Sequence, residues 1–125
     1  MTKNFDVIIV GMGPSGLVLA GLLASYGIEV GIFEKNKSTV KEPRAVSIDD
    51  ESLRILQSFS LHKAVLKNVS QNYGSHYYDA KGKLFLKVEP NSRENGFFKR
   101  NAFDQPTFER TLRKHLENKK NININ

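Results

Sequence analysis

The chain has 125 residues, of which 39% are hydrophobic and 26% are charged, and it contains no cysteine. Its length predicts at most one domain, of ordinary globular composition. The lack of cysteine excludes disulfides, thiolate catalysis and cysteine-based zinc sites, and it is compatible with a cytoplasmic location. The three histidines show no ligand spacing, so no metal site is predicted. The net charge is +6, but the lysines are dispersed and no nucleic-acid-binding motif is present, so we expect a solvated basic surface.

A strand, a glycine-rich turn and a helix are predicted at the start of the chain. Residues 5–10 are rich in valine and isoleucine, which is typical of a strand covered on both faces. The sequence GMGPSG follows with G-x-G-x-x-G spacing. Gly11 permits the tight turn, Gly13 lets a pyrophosphate approach the backbone, and Gly16 lets the helix pack closely. Pro14 suits the first helical turn, where its missing N–H needs no partner.

A second strand is predicted at residues 28–33, after Gly27 ends the helix, and Glu34 follows it. Glu34 lies at about the distance from the glycine turn at which an acidic residue binds a ribose hydroxyl. An acidic residue here also argues against a 2′-phosphate. The motif does not distinguish FAD from NAD. The alternatives are a plain βαβ unit with a glycine turn and, for Glu34, a solvated charge at a strand end.

The uncharged run at residues 7–28 raises the alternative of a membrane span or a signal peptide. Glycines and a proline lie in the middle of this run, and Asp6 precedes it. Both features argue against insertion, so no membrane partner is expected.

Two helices are predicted in the middle of the chain, after a loop at residues 35–47. The first covers residues 48–59, with Asp49 or Asp50 as its N-cap. Its predicted apolar face comprises Leu53, Ile55, Leu56 and Phe59. The second is a short helix at residues 61–66.

A β-hairpin is predicted in the second half of the chain. Residues 75–79 and 84–88 have strand character and flank a turn in which Gly82 can adopt a positive φ. A polar loop is predicted at residues 90–96. Alternation over residues 122–124 indicates the opening of a further strand.

The last helix is predicted from its capping signals. Asp104 is a suitable N-cap, and Phe103 before it is placed to pack on Phe108. The inward positions recur four residues apart and comprise Phe108, Leu112 and Leu116. Glu109 and Arg113, also four residues apart, are expected to form an ion pair on the outer surface.

Three stretches resemble class A flavoprotein monooxygenases, the aromatic hydroxylases of the p-hydroxybenzoate hydroxylase type. They are GMGPSG with Glu34, EPRAVSIDDESLRILQSFSL at residues 42–61, and KRNAFDQPTFERTL at residues 99–112. The first is shared by many dinucleotide enzymes, whereas the other two are much more specific. These two are most similar to the subgroup of 3-(3-hydroxyphenyl)propionate hydroxylases. The resemblance covers nearly the whole chain in the same order.

The resemblance implies an α/β fold, in which residues 1–125 form the N-terminal portion of a Rossmann-like FAD-binding domain with a β-hairpin insertion. It implies that Arg44 reaches the FAD from its loop, that Gln105 contacts the flavin, and that Glu34 binds the adenosine ribose. The full set of implied cofactor-binding residues is Gly11, Gly13, Pro14, Ser15, Gly16, Glu34, Lys35, Arg44 and Gln105. From the residues alone, Arg44 has the alternative of a surface ion pair with Glu42 or Asp49. Gln105 has the alternative of an ordinary residue in the first helical turn.

Enzymes of this class take electrons from NADH or NADPH and use O2 to hydroxylate a small aromatic substrate. The resemblance thus implies the FAD-binding portion of such a monooxygenase, with a substrate similar to 3-(3-hydroxyphenyl)propionate. The chain is far shorter than these enzymes and lacks their later GD and DG motifs. We therefore expect a truncated portion that is inactive alone and contains no catalytic residue. The alternatives are another flavin-dependent oxidoreductase of the same superfamily and a non-catalytic dinucleotide-binding module.

Overall fold

The computed structural model describes residues 4–39 and 41–125, so Val40 of the predicted loop lies outside the described residues. The strands are β1 (Val7–Val10), β2 (Val30–Phe33), β3 (Ser47–Ile48), β4 (Val69–Gln71), β5 (Ser75–Tyr78), β6 (Leu84–Val88), β7 (Asn101–Phe103) and β8 (Ile122–Ile124). The helices are α1 (Pro14–Ser25), α2 (Asp50–Ser58), α3 (His62–Leu66) and α4 (Gln105–Leu116). Within these described ranges, no helix is both long enough and apolar enough to cross a membrane.

β1 and β2 are neighbouring parallel strands joined by α1, as predicted. Val7 lies opposite Val30. β8 adds a third parallel strand on the other side of β2, with Ile124 opposite Ile32. Because the carboxyl ends of parallel strands meet at one edge of a sheet, the glycine-rich turn after β1 and Glu34 after β2 lie side by side.

The two faces of β1 differ in burial. Ile9 is 8% exposed and belongs to the core with Leu17 and Ala20 of α1. On the opposite face, Ile8 is 59% exposed and Val10 is 86% exposed. The prediction that this strand is covered on both faces is therefore wrong for the described chain, because α1 packs on the face that carries Ile9.

A second sheet contains β3, β7 and β4 in that order, with antiparallel pairing. None of these strands was predicted, because their short sequences carry no strand signal of their own and they form by pairing between residues that are distant in sequence. Asn101 helps to fix this sheet, since its fully buried side chain donates from Nδ2 to the carbonyl oxygens of Ile48 at 3.2 Å and Phe98 at 2.7 Å.

The second helix begins at Asp50, two residues later than predicted, since Ile48 belongs to β3. Asp49 is the N-cap, and its carboxylate accepts a hydrogen bond from the N–H of Ser52 at 2.8 Å. The buried apolar residues are Leu53, Leu56 and Phe59. Ile55 is 45% exposed, so its assignment to the buried face was wrong. The short helix α3 agrees with its prediction.

β5 and β6 pair in antiparallel fashion and form the predicted hairpin. Gly82 in the connecting turn has a φ of 78°, a conformation that glycine adopts without strain. That this hairpin is an insertion into the Rossmann-like unit stays a prediction.

α4 has the predicted N-cap and apolar face. The carboxylate of Asp104 accepts a hydrogen bond from the N–H of Thr107 at 2.9 Å. The rings of Phe103 and Phe108 meet edge to face with their centroids 5.3 Å apart. Phe108, Leu112 and Leu116 are buried. α4 packs against α1, and the first residues of the two helices, Gln105 and Pro14, line the same cleft.

Candidate functional site

The turn between β1 and α1 needs glycine at two positions. Gly11 has a φ of 98°, and its N–H donates to the carbonyl oxygen of Phe33 at 2.8 Å, which ties the turn to the end of β2. A Cβ atom on Gly16 would collide with the carbonyl oxygen of Gly11 and press on the side chain of Ile9. Gly16 thus permits the close approach of helix and strand that the motif predicts.

Gly13 faces open space. A Cβ atom built there has no described atom within 4 Å. Gly13 is the N-cap of α1 and Pro14 is the first helical residue. The next amides, of Ser15 and Gly16, have no partner within the helix at such a position and are available to a phosphate. The backbone therefore offers both the space and the donors that a pyrophosphate needs.

The Glu34 carboxylate links the glycine turn to the loop after β2. Its Oε2 accepts a hydrogen bond from the N–H of Met12 at 2.8 Å. Its Oε1 accepts from the N–H of Asn36 at 2.8 Å and from Asn36 Nδ2 at 3.0 Å. The hydrogen bond from Met12, followed by that from the Asn36 backbone, lowers the pKa of Glu34, and the charge of Arg113 acts in the same direction. Glu34 is therefore a structural acceptor as well as a candidate ribose ligand, rather than only a solvated charge.

The structure brings Arg44 and Gln105 together although they are far apart in sequence. Gln105 Oε1 accepts hydrogen bonds from the backbone N–H groups of Arg44 and Ala45, both at 2.9 Å. In the described part of the chain, Arg44 forms no ion pair with Glu42 or Asp49, which argues against that alternative.

The predicted outward ion pair of Glu109 and Arg113 is wrong. Glu109 is 2% exposed and accepts a hydrogen bond from Gln105 Nε2 at 2.8 Å. Arg113 Nη2 donates to the carbonyl oxygen of Met12 at 3.3 Å. Both side chains face the glycine turn because Gln105, Glu109 and Arg113 recur four residues apart on one side of α4.

These residues surround a cleft of about 140 Å³ at the edge of the parallel sheet. It is lined by Met12, Gly13, Pro14, Glu34, Asn36, Ser38, Arg44, Gln105, Glu109 and Arg113. Five predicted site residues thus share one cleft. Ser15 lines a neighbouring, more apolar cleft of about 290 Å³, which also includes Pro14. Gly11 and Gly16 shape the turn, and Lys35 is exposed and lines neither cleft.

Sequence reasoning missed five residues of this cleft, which are Met12, Asn36, Ser38, Glu109 and Arg113. For α4 a signal existed, since the polar residues at positions 105, 109 and 113 form a second ridge beside the apolar one. Nothing in the sequence marks Met12, because it takes part through its backbone.

The donor set of the cleft suits a dinucleotide. Free helix amides and the Arg44 guanidinium are phosphate donors, and the Glu34 carboxylate is a ribose acceptor. Among the residues that the structure describes, no group of three His, Asp or Glu side chains is arranged to hold a metal ion.

A sequence profile of the family described as "FAD binding domain" matches residues 4–125. The chain is 41% identical to 3-(3-hydroxy-phenyl)propionate/3-hydroxycinnamic acid hydroxylase 2 of Burkholderia vietnamiensis, over 89% of this chain and 20% of that protein. It is 40% identical to the 3-(3-hydroxy-phenyl)propionate/3-hydroxycinnamic acid hydroxylase of Comamonas testosteroni, over 90% of this chain and 19% of that protein. The chain therefore spans about a fifth of the length of these curated relatives.

Among solved structures, p-nitrophenol 4-monooxygenase from Pseudomonas putida superposes with a TM-score of 0.88. The superposition covers 100% of this chain and 32% of that one, at 24% sequence identity. This likeness concerns the fold, and it confirms the predicted α/β class.

Proposed function

Because the chain belongs to the family of FAD-binding domains, we propose that it is the cofactor-binding part of a flavin-dependent aromatic monooxygenase. The observation that carries this proposal is the cleft in which Gly13, Glu34, Arg44 and Gln105 converge. Its donors and acceptors match the pyrophosphate and the ribose of an ADP group, and that group is common to FAD and to other dinucleotides. We choose FAD among these dinucleotides because the family to which the chain belongs is described as an FAD binding domain.

In this proposal, residues 1–125 belong to one FAD-binding domain whose cofactor is held mainly by backbone. The turn formed by Gly11, Gly13, Pro14, Ser15 and Gly16 holds the pyrophosphate at the start of α1. Glu34 accepts from the ribose hydroxyls, and Lys35 lies beside it. Arg44 donates to the cofactor from its loop. Gln105 has one amide hydrogen left for the flavin after its bond to Glu109.

We further propose a small phenolic substrate similar to 3-(3-hydroxyphenyl)propionate, O2 as co-substrate and NADH or NADPH as the reductant. The names of the two hydroxylases at about 40% identity support this substrate class. Bound FAD supplies electron transfer from the nicotinamide and activation of O2. The described residues bind and orient the cofactor, and the site of action is proposed to be the cytoplasm.

Equilibrium titration of the purified protein with FAD, NAD and ADP tests this function. We expect FAD to bind more tightly than NAD, with the visible flavin spectrum shifting on binding. Equal affinity for all three ligands would instead identify a dinucleotide-binding module without a flavin preference. No binding of any of them would refute the proposal.

A further inference from the structure

The side chain of Gln105 is held by the protein at both of its polar atoms. Its Oε1 accepts from the N–H groups of Arg44 and Ala45, and its Nε2 donates to Glu109 Oε1. Gln105 is 6% exposed and Glu109 is 2% exposed. Because bulk water barely reaches either side chain, a lost partner is poorly replaced.

A carboxamide presents almost the same shape when it is turned by 180°, with oxygen and nitrogen exchanged. At Gln105 the two orientations are not equivalent. The backbone groups of Arg44 and Ala45 are donors and require the oxygen. On the other side, Glu109 Oε1 accepts a hydrogen bond and requires the NH2 group of Gln105. Glu109 therefore selects the orientation in which Gln105 binds the loop.

Ion pairing does not account for Glu109. Within the described residues, no Lys or Arg nitrogen lies within 4.0 Å of its carboxylate. A buried carboxylate is costly unless hydrogen bonds satisfy it, and Gln105 supplies such a bond at 2.8 Å. The hydrogen bond from Gln105 thus satisfies the Glu109 carboxyl group and at the same time orients the Gln105 side chain.

We infer that Glu109 is a positioning residue of the proposed FAD site, which fixes Gln105 and through it the Arg44–Ala45 backbone. This inference rests on the proposed function. Gln105 on α4 anchors the backbone of Arg44, and this anchor keeps the Arg44 side chain at the cleft. Glu109 acts on the cofactor through Arg44.

Amide hydrogen exchange in the ligand-free protein tests the anchor without any flavin. In Glu109→Leu, exchange at the Arg44 and Ala45 amides should be about tenfold faster, because a lost hydrogen bond to a charged group is worth at least that factor. Leu112 within α4 should keep its protection. Lys114→Ala, an exposed change on the same helix, should leave all of these amides unchanged. Unaltered exchange at Arg44 and Ala45 in Glu109→Leu would overturn the inference.

An exchange of the two side chains gives a second test, which also covers the case that Glu109→Leu does not fold. Gln105→Glu alone places two carboxylates in contact and should release the loop. Gln105→Glu combined with Glu109→Gln restores one acceptor for the backbone amides and one donor for that acceptor. We expect the double variant to recover most of the protection at Arg44 and Ala45. A double variant no better than Gln105→Glu would contradict the inference.

FAD titration then separates the inference from the proposed function. Arg44→Ala and Glu109→Leu should each weaken FAD binding roughly tenfold, and the two together should cost little more than one alone, because both act on one contact. Fully additive losses would refute a role of Glu109 through Arg44. If the unaltered protein does not bind FAD, the proposed function fails while the exchange data still decide whether Glu109 anchors the loop.

Discussion

The carboxylate of Glu34 accepts a hydrogen bond from the N–H of Met12, with 2.8 Å between the two heavy atoms. This bond joins the end of one parallel strand to the glycine turn that follows its neighbour. The carbonyl oxygen of the same Met12 residue accepts from Arg113. The turn is thus held from both sides before any ligand arrives, so the cleft is largely preformed.

Replacement of Glu34 should weaken FAD binding. Glu34→Ala removes both the proposed ribose acceptor and the support of the Met12 N–H, and loss of a hydrogen bond to a charged group costs about 1.5–3 kcal/mol. Flavin titration measures the effect. Glu42→Ala, an exposed acidic residue in the following loop, is the matched control and should bind FAD normally. Unchanged affinity in Glu34→Ala would exclude the ribose role.

The contribution of Glu34 to stability should depend on pH in one direction. Its hydrogen bonds lower its pKa below the ordinary 4.5, so the folded protein holds the proton less tightly than the unfolded chain. The stabilisation is therefore complete above pH 4.5 and is lost as the pH falls through the lowered pKa. Urea unfolding of the protein and of Glu34→Gln at pH 7 and pH 3 tests this. The difference in unfolding free energy should shrink at pH 3, and a difference equal at both values would contradict the assignment.

Substitution by alanine at two glycines of the same turn should affect different properties, stability at Gly16 and FAD binding at Gly13. Gly16→Ala places a methyl group against the Gly11 carbonyl and should destabilise the fold by about 1–3 kcal/mol. Gly13→Ala meets no described atom and has an extended backbone with a φ of −78°, so stability should change little. Its methyl group would instead occupy the proposed pyrophosphate space, and FAD binding should fall. Thermal unfolding together with FAD titration separates the two effects, and tight FAD binding by Gly13→Ala would argue against phosphate at this position.

Arg44 and Arg54 provide a matched pair of exposed arginines. Arg44 lines the cleft, whereas Arg54 lies on α2, where its Nη1 is 3.5 Å from Asn95 Oδ1. Arg44→Ala should therefore lose bound flavin on gel filtration, and Arg54→Ala should retain it. Equal retention would mean that Arg44 does not bind the cofactor.

The elements with strong local signals were predictable from the sequence. The β1–α1–β2 unit was predicted from its glycine spacing, and α4 from its cap at Asp104 and its staple of Phe103 on Phe108. Local patterns carry such elements because caps and periodicity act over a few residues.

The strands β3, β4 and β7 and the burial of Glu109 were not predictable from local patterns. β3, β4 and β7 exist as strands only because they meet one another and because Asn101 is buried among backbone acceptors. Glu109 was expected in solvent, and it is buried because Gln105 supplies its hydrogen bond. The charge of an acidic side chain predicts that it is exposed, but a hydrogen-bond partner one turn earlier in the same helix allows it to be buried.

The position of β8 has a consequence for the order of folding. β1 and β2 are close in sequence and can pair early, but the other edge of β2 receives a strand from residues 122–124. Asn121, which precedes β8, holds this strand in place by donating from Nδ2 to the carbonyl oxygens of Ala24 at 3.1 Å and Ile28 at 2.9 Å. Bringing β8 to β2 closes the long stretch of chain between them, which costs conformational entropy and makes the pairing slow to form. We therefore expect β8 to dock in the last step of folding and to detach first on unfolding.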